Sequence, residues 1–119
     1  VRVSGLSPGQ HGIHVHSVGK CEPPDFASAG GHYNPDGKQH GLESPNDPHA
    51  GDLPLLLVAP DGTGTLETNN NSLTNRPKGK ELFDADGAAL VVHANADDQK
   101  TDPTGNSGGR IACGVIIHE

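Results

Sequence analysis

Histidines are the residues of this sequence whose types and spacing could do chemistry, and the chain has 8 of them in 119 residues. His14 and His16 stand two positions apart in a segment that alternates apolar and polar residues, which predicts a β-strand. Because successive strand side chains point to opposite faces, both imidazoles should lie opposite Ile13 and Val15. Two imidazoles on one face can share a metal ion, although such a pair alone is more often exposed to solvent.

A long stretch after this strand lacks the periodicity of either a helix or a strand. A segment as long as residues 19–52 without regular structure is uncommon in a compact domain unless it is functional, and it must be held in place by other contacts. Three imidazoles and one carboxylate in this stretch form the kind of closed tetrahedral set that zinc accepts. The four residues are His32, His40, His49 and Asp52.

His93 ends the apolar segment 90–92, where an edge-of-core histidine bonded to backbone is the simpler interpretation. Together with His14 and His16 it would supply three imidazoles to one metal. A fourth imidazole shared with the zinc set would give four nitrogens, which suits tetragonal Cu(II). One histidine would then bridge two metals through its two ring nitrogens.

Several short strands with regular turn signals must position these residues. Residues 53–58 and 63–68 flank a Pro-Asp-Gly turn, and residues 81–83 and 88–93 flank an Asp-Gly turn, so each pair predicts a hairpin. Residues 110–117 follow a glycine-rich loop and predict a final strand. This pattern indicates an all-β sandwich or barrel.

Composition limits the remaining possibilities. The length favours one domain over residues 1–119, and the net charge of -7 without a basic run argues against a nucleic-acid partner. The longest apolar runs have five residues, far too few to span a membrane. Leu, Ile, Val and Phe make up only 24 of the 119 residues, so the small core should need additional cross-links.

Six segments resemble copper,zinc superoxide dismutases in their order and spacing. The resemblance implies a Greek-key β-barrel or sandwich of the immunoglobulin-like type, with long metal-binding loops, that disproportionates superoxide using copper and zinc. The short loop 101–109 and the sequence of residues 21–26 resemble the bacterial branch. The segments read GIHVH at 12–16, SAGGHYNP at 28–35, KQHG at 38–41, HAGD at 49–52, LVVH at 90–93 and GNSGGRIACGV at 105–115.

The resemblance also implies a role for individual residues. Asp97 would orient metal-bound histidines, and Arg110, otherwise an ordinary surface arginine, would attract superoxide beside the copper. Lys100 and Thr104 would support that channel. His32 would bridge the metals and exchange the proton of the reaction. The implied copper ligands are His14, His16, His32 and His93, and the implied zinc ligands are His32, His40, His49 and Asp52.

The two cysteines could be free, bind metal or pair, and the resemblance implies a disulfide between Cys21 and Cys113. This bond would tie down part of the aperiodic segment and indicates an oxidising compartment, hence a periplasmic or secreted protein. His11 and His118 match no ligand position and are expected at the surface.

Family members normally have about three strands before the paired histidines, and here only the end of the third is expected, at residues 1–3. Open sheet edges would then favour a homo-oligomer, recruitment of the missing strands, or dependence on metal and disulfide. Two alternatives remain. One is a non-enzymatic protein of the same fold that stores or delivers copper or zinc; the other is a disulfide-stabilised binding module, which leaves six aligned histidines unexplained.

Overall fold

Short β-strands make up most of the regular structure. The computed structural model describes residues 1–23, 25–34, 49, 51–66, 87–99 and 105–116, and these contain no α-helix. No helix among them is long and apolar enough to cross a membrane. The strands are β1 (Arg2–Val3), β2 (Gly9–His11), β3 (Ile13–His16), β4 (Leu56–Val58), β5 (Gly64–Thr65), β6 (Ala89–His93) and β7 (Arg110–Val115), and a 3-10 turn spans Ala27–Ala29.

The strands form two antiparallel sheets. One has four strands in the order β1-β5-β4-β2, and the other has three in the order β3-β6-β7. The expected all-β, immunoglobulin-like architecture is confirmed, and within the described ranges the sheets do not close into a barrel. Because β2 and β3 follow each other along the chain but belong to different sheets, the backbone crosses between sheets at Gly12.

The core lies where side chains of both sheets meet. Ile13 of β3 and Leu56 of β4 are fully buried, and Val92 of β6 is 3% exposed. Side chains alternate along β4, so Leu56 and Val58 face the core while Leu57 between them is 65% exposed. The core is small and, apart from Tyr33, aliphatic, as the composition indicated. Its buried members are Ile13, Val15, Tyr33, Leu53, Leu56, Val58, Ala88 and Val92.

The hairpin predicted around the Pro-Asp-Gly turn is confirmed, with strands shorter than the sequence pattern. Asp61 Oδ1 accepts hydrogen bonds from the Thr63 backbone N–H at 3.0 Å and from the Thr63 hydroxyl at 2.6 Å. Gly62 has a φ of 85°, a conformation that costs glycine little. Strand 88–93 is present as β6 and strand 110–117 as β7, while residues 67–68, 81–83 and 117 lie outside the described residues.

The predicted disulfide is confirmed. Cys21 and Cys113 are bonded, with their Cα atoms 5.6 Å apart and 92 positions between them in sequence. Next to this bond, Ala29 of the 3-10 turn is completely buried against Ala89 and Val91 of β6. The disulfide and this apolar contact therefore attach the loop before His32 to the three-stranded sheet.

We expect Cys21→Ser with Cys113→Ser to lower the free energy of unfolding by roughly 4–5 kcal/mol, because a 92-residue loop is no longer closed in the unfolded chain. Urea unfolding of the oxidised and doubly substituted proteins measures the difference. Reduced wild-type protein is the matched control and should behave like the double variant. Equal stability of all three would contradict the structural role of this bond.

Candidate metal centre

Both faces of strand β3 are buried, and the two faces carry different kinds of side chain. Ile13 and Val15 join the core, while His14 and His16, 0% and 1% exposed, occupy the opposite face. The backbone contacts that cover this second face bring in residues from the aperiodic segment. Single bridges pair His14 with Asp52 and His16 with His32.

Gly51 allows the bridge between His14 and Asp52 to form. Its carbonyl accepts a hydrogen bond from the Val15 N–H at 2.9 Å, and its N–H donates to Tyr33 O at 2.9 Å. A Cβ at this position would lie 2.5 Å from the Val15 carbonyl oxygen, so only glycine fits. This close approach places His49 and Asp52, on either side of Gly51, beside the histidines of β3.

Four imidazole rings converge on the buried face of β3. The centroid of His14 lies 4.1 Å from that of His32 and 4.8 Å from that of His93. His16 completes the group, 4.9 Å from His32 and 5.6 Å from His93 between ring centroids. One ligand nitrogen from each ring lies within 4.8 Å of the others, so these four residues could hold one metal ion.

A second group adjoins the first and shares His32. His32 Nδ1 lies 3.2 Å from His49 Nδ1 and 3.5 Å from Asp52 Oδ1, and His49 Nδ1 lies 3.6 Å from the same carboxylate oxygen. The Asp52 side chain also accepts a hydrogen bond from the His49 N–H at 3.0 Å. These three residues could hold a second metal ion, with His32 between the two groups.

Four residues named from the sequence lie outside the described residues. They are His40, Lys100, Thr104 and His118. The four predicted copper ligands and three of the four predicted zinc ligands are brought together in the described structure.

The nitrogens of two of these histidines test whether a metal fits. His16 Nδ1 is 2.8 Å from Gly30 O and His93 Nδ1 is 3.1 Å from Gly108 O, so each Nδ1 donates its proton to a backbone carbonyl. In both rings Nε2 is then the lone-pair nitrogen, and among the described residues it is buried without a hydrogen-bond partner. Burying an unsatisfied polar atom is costly, and a metal ion would use that lone pair.

The charge state of these two histidines also suits a metal. Burial lowers the pKa of His16 to about 2, and the backbone hydrogen bond to Gly30 opposes this only in part. Burial likewise lowers the pKa of His93 to about 4. In both cases nearby imidazoles and the Arg110 guanidinium lower the pKa further. At neutral pH both rings are therefore uncharged, which is the form that ligates metals.

Asp97 contacts His14 of the four-histidine group. His14 Nε2 donates to Asp97 Oδ2 at 2.5 Å, and both side chains are buried. The other carboxylate oxygen accepts the Gln99 backbone N–H at 2.7 Å. Because this contact assigns the proton of His14 to Nε2, the Nδ1 lone pair faces the other rings. The family resemblance implied such an orienting role for Asp97, which stays a prediction.

Arg110 begins β7 directly opposite His93 in the register of the sheet. It is half-buried, and its Nη1 donates to the carbonyl oxygen of Phe26 at 2.8 Å. The described residues give Arg110 no ion pair. Its positive charge therefore stands beside the four-histidine group, and no carboxylate of the described residues pairs with it.

His11 corrects the sequence analysis, which expected a surface residue. It is 2% exposed, with Nδ1 2.7 Å from His93 O and Nε2 2.8 Å from Ser7 O. Strand alternation could not reveal this burial, because the chain changes sheets at Gly12. The rule that places His14 and His16 on one face therefore does not apply to His11. Two carbonyl acceptors, one on the backbone of a candidate ligand, hold the ring in place.

Backbone carbonyls were the functional groups that the sequence analysis missed. Phe26 O contacts Arg110, and Gly30 O and Gly108 O fix the protons of His16 and His93. No side-chain pattern marks a carbonyl group. The available signal was that two of these carbonyls belong to glycines, Gly30 and Gly108, while Phe26 has no neighbouring glycine.

The fold and this geometry define a metal-binding β-sandwich with two adjoining histidine-rich groups. The sequence model of the family "Copper/zinc superoxide dismutase (SODC)" matches residues 1–116. The chain belongs to this family.

Named relatives agree with this assignment. The chain is 47% identical over 119 residues to "Superoxide dismutase [Cu-Zn] 1" of Aquifex aeolicus, covering 98% of this chain and 70% of the relative. It is 44% identical to "Superoxide dismutase [Cu-Zn]" of Caulobacter vibrioides, covering 98% and 68%. Among solved structures, a SOD-like protein from Bacillus subtilis superposes with a TM-score of 0.89 at 42% identity, covering 98% of this chain and 78% of that one.

The stability of the metal-free protein should fall as pH drops below the unfolded histidine pKa of 6.5. In that range the unfolded chain binds protons that folded His16 and His93 do not, so the stabilisation present above pH 6.5 is progressively lost. The contribution of His93 levels off near its folded pKa of about 4 and that of His16 near about 2.

Urea unfolding of metal-free protein at several values between about pH 7.5 and 4.5 measures this loss. The matched control carries His16→Gln and His93→Gln, and its stability should change less over the same range. A metal-free wild type whose stability does not change from neutral pH to about 5 would contradict the burial of neutral imidazoles.

We expect His11→Leu to destabilise the protein by about 2–4 kcal/mol, because the carbonyls of Ser7 and His93 lose their contacts with the polar ring. Gln10→Ala is the control, since this neighbouring position is exposed and should change stability by less than about 0.5 kcal/mol. Thermal unfolding of both variants provides the comparison. Equal midpoints for His11→Leu and wild type would show that the two contacts contribute nothing.

Proposed function

We propose that this chain is a copper, zinc superoxide dismutase that converts two superoxide ions and two protons into dioxygen and hydrogen peroxide. The observation that carries the proposal is the pair of adjoining ligand groups with His32 common to both. Family membership and the names of the relatives support the same activity.

In this proposal the four-ring group binds copper and the group with the carboxylate binds zinc. Four imidazole nitrogens suit Cu(II), and imidazoles with a carboxylate suit tetrahedral zinc. His40 would be the fourth zinc ligand on the basis of the sequence resemblance alone. The copper ligands are His14, His16, His32 and His93, and the zinc ligands are His32, His40, His49 and Asp52.

The chain's own residues supply orientation and proton handling. When bound, copper supplies the reversible one-electron chemistry that no side chain here has. Gly30 O and Gly108 O hold His16 and His93 with Nε2 available, and Asp97 holds His14 with Nδ1 available. His32 keeps Nδ1 beside His49 and Asp52, so Nε2 is the atom that can hold a proton between the two encounters with superoxide.

Electrostatics determines how an anion reaches the site. A net charge of -7 repels superoxide, so any attraction must be local. Arg110 supplies a positive charge near His16 and His93, since the guanidinium lowers the pKa of both histidines after the larger effect of burial. We assign Arg110 the role of attracting and placing superoxide. The family resemblance implies that Lys100 and Thr104 support Arg110 in this role.

The disulfide and the bacterial relatives are consistent with an oxidising compartment. We propose a periplasmic or secreted location. Association of two copies through open sheet edges stays a prediction, for which Val115 on β7, 49% exposed, offers apolar surface.

A second candidate function is copper or zinc storage or delivery without turnover. A relative 44% identical to this chain, from Bacillus subtilis, is named only "Superoxide dismutase-like protein". Measured activity per bound copper separates the two functions. A protein that binds both metals at full stoichiometry without accelerating superoxide loss would be a carrier.

We expect His93→Ala to abolish superoxide dismutation while leaving zinc content near normal, because His93 belongs only to the four-ring group. The measurements are superoxide decay by pulse radiolysis and metal content by mass spectrometry. His118→Ala, which removes a histidine that matches no ligand position, is the control and should keep both. Full activity in His93→Ala would disprove the copper assignment.

A further inference from the structure

The buried carboxylate of Asp97 is held through both of its oxygens. Oδ2 accepts a hydrogen bond from His14 Nε2, and Oδ1 accepts the backbone N–H of Gln99 at 2.7 Å. The two donors come from different segments of the chain, so the position of Gln99 helps to determine how the carboxylate faces the His14 ring. A displacement of Gln99 should therefore reach a candidate copper ligand.

Gln99 is also attached to the segment that carries the second ligand group. Its side-chain amide Nε2 donates to the carbonyl oxygen of Leu53 at 3.1 Å, across 46 positions of sequence. Leu53 is 6% exposed and belongs to the core, and it directly follows Asp52 of the second ligand group. The amide therefore joins the segment around Asp97 to a point that the core holds in place.

The backbone at Gln99 has a conformation that a side chain disfavours. Its φ of 62° lies in the left-handed region, although the residue is not glycine. Such a conformation persists only where the surrounding structure imposes it. Because φ sets the direction of the side chain relative to the N–H group, a change of φ would turn the amide away from Leu53 while the N–H stays on Asp97.

These contacts complete a closed series between the two ligand groups. The last member, Asp52, returns to the first through its backbone bridge with His14 on β3. Each member is therefore held from two sides, and side chains supported in this way keep a ligand in one orientation. In order, the series is His14, Asp97, Gln99, Leu53 and Asp52.

We propose that Gln99 is a positioning residue that holds the Asp97 carboxylate on the His14 ring. Its side-chain amide, bound to the Leu53 carbonyl, supplies the fixed point from which it acts. The inference rests on the proposed role of His14 as a copper ligand. It adds that an amide outside both ligand groups controls how firmly one ligand keeps its ring orientation.

The direct test removes the amide in the fully metallated protein, with copper reduced so that both metals are diamagnetic. Gln99→Met keeps the length of the side chain but has no N–H group to donate. In this variant the His14 Nε2 proton should exchange with water about three- to tenfold faster than in wild type, because Asp97 holds it less firmly. NMR of the imidazole N–H groups measures the exchange rates. An unchanged rate in folded Gln99→Met would overturn the proposal.

Two other ring protons of the same site separate positioning from general loosening. The Nδ1 protons of His16 and His93 bind backbone carbonyls rather than Asp97, so Gln99→Met should leave their exchange rates unchanged. Equal acceleration of all three protons would show a merely structural role and overturn the proposal. Ala96→Ser is the matched control, since Ala96 is an exposed neighbour of Asp97, and all three rates should stay at their wild-type values.

An Asp97→Ala background tests whether the amide acts through the carboxylate. The His14 ring has lost its acceptor in that background, so adding Gln99→Met should not accelerate exchange of the Nε2 proton any further. A further acceleration would show that Gln99 acts on the ring by another route, and the proposal would be wrong.

A measurement on wild-type protein keeps the proposal testable if Gln99→Met does not fold. The protons of the Gln99 side-chain amide should exchange more slowly than those of Gln10, which is exposed. Equal exchange at the two amides would contradict the contact with Leu53. If metallated wild type does not turn over superoxide, the proposed function is wrong, while the proton-exchange rates still decide the role of Gln99.

Discussion

Burial of β3 on both faces is the constraint on which the rest of the structure depends. Alternation sends Ile13 and Val15 into the small aliphatic core and places His14 and His16 on the opposite face. The same four residues thus contribute two side chains to the core and two to the candidate metal centre. Imidazoles in such a place must have each nitrogen satisfied, by the protein or by a metal.

The surrounding loops meet this requirement with oxygen acceptors from different segments. Carbonyls of Gly30 and Gly108 and the carboxylate of Asp97 each accept a hydrogen bond from one ring N–H, which leaves the other nitrogen of each ring for ligation. The disulfide at Cys113 and the close approach at Gly51 hold these segments against the sheet. A chain with few large apolar residues therefore gains order from the groups that build its site.

Side-chain patterns explain how much of this could be predicted. The spacing of His14 and His16 predicted a shared face, and the apolar segment before His93 predicted a strand that ends at the site. Backbone contacts are invisible to such patterns, so the carbonyl of Phe26 was not anticipated. His11 was misplaced because its burial depends on the change of sheet at Gly12, which follows from the three-dimensional path of the chain rather than from local alternation.

We propose that one imidazole, His32, joins two metal ions of different identity. Anomalous diffraction from crystals of the metallated protein, recorded on either side of the copper and zinc absorption edges, distinguishes the two ions and locates them. We expect a copper peak among the rings of His14, His16, His32 and His93, a zinc peak beside His49 and Asp52, and the His32 ring between them. A single metal peak, or two peaks that do not flank His32, would contradict it.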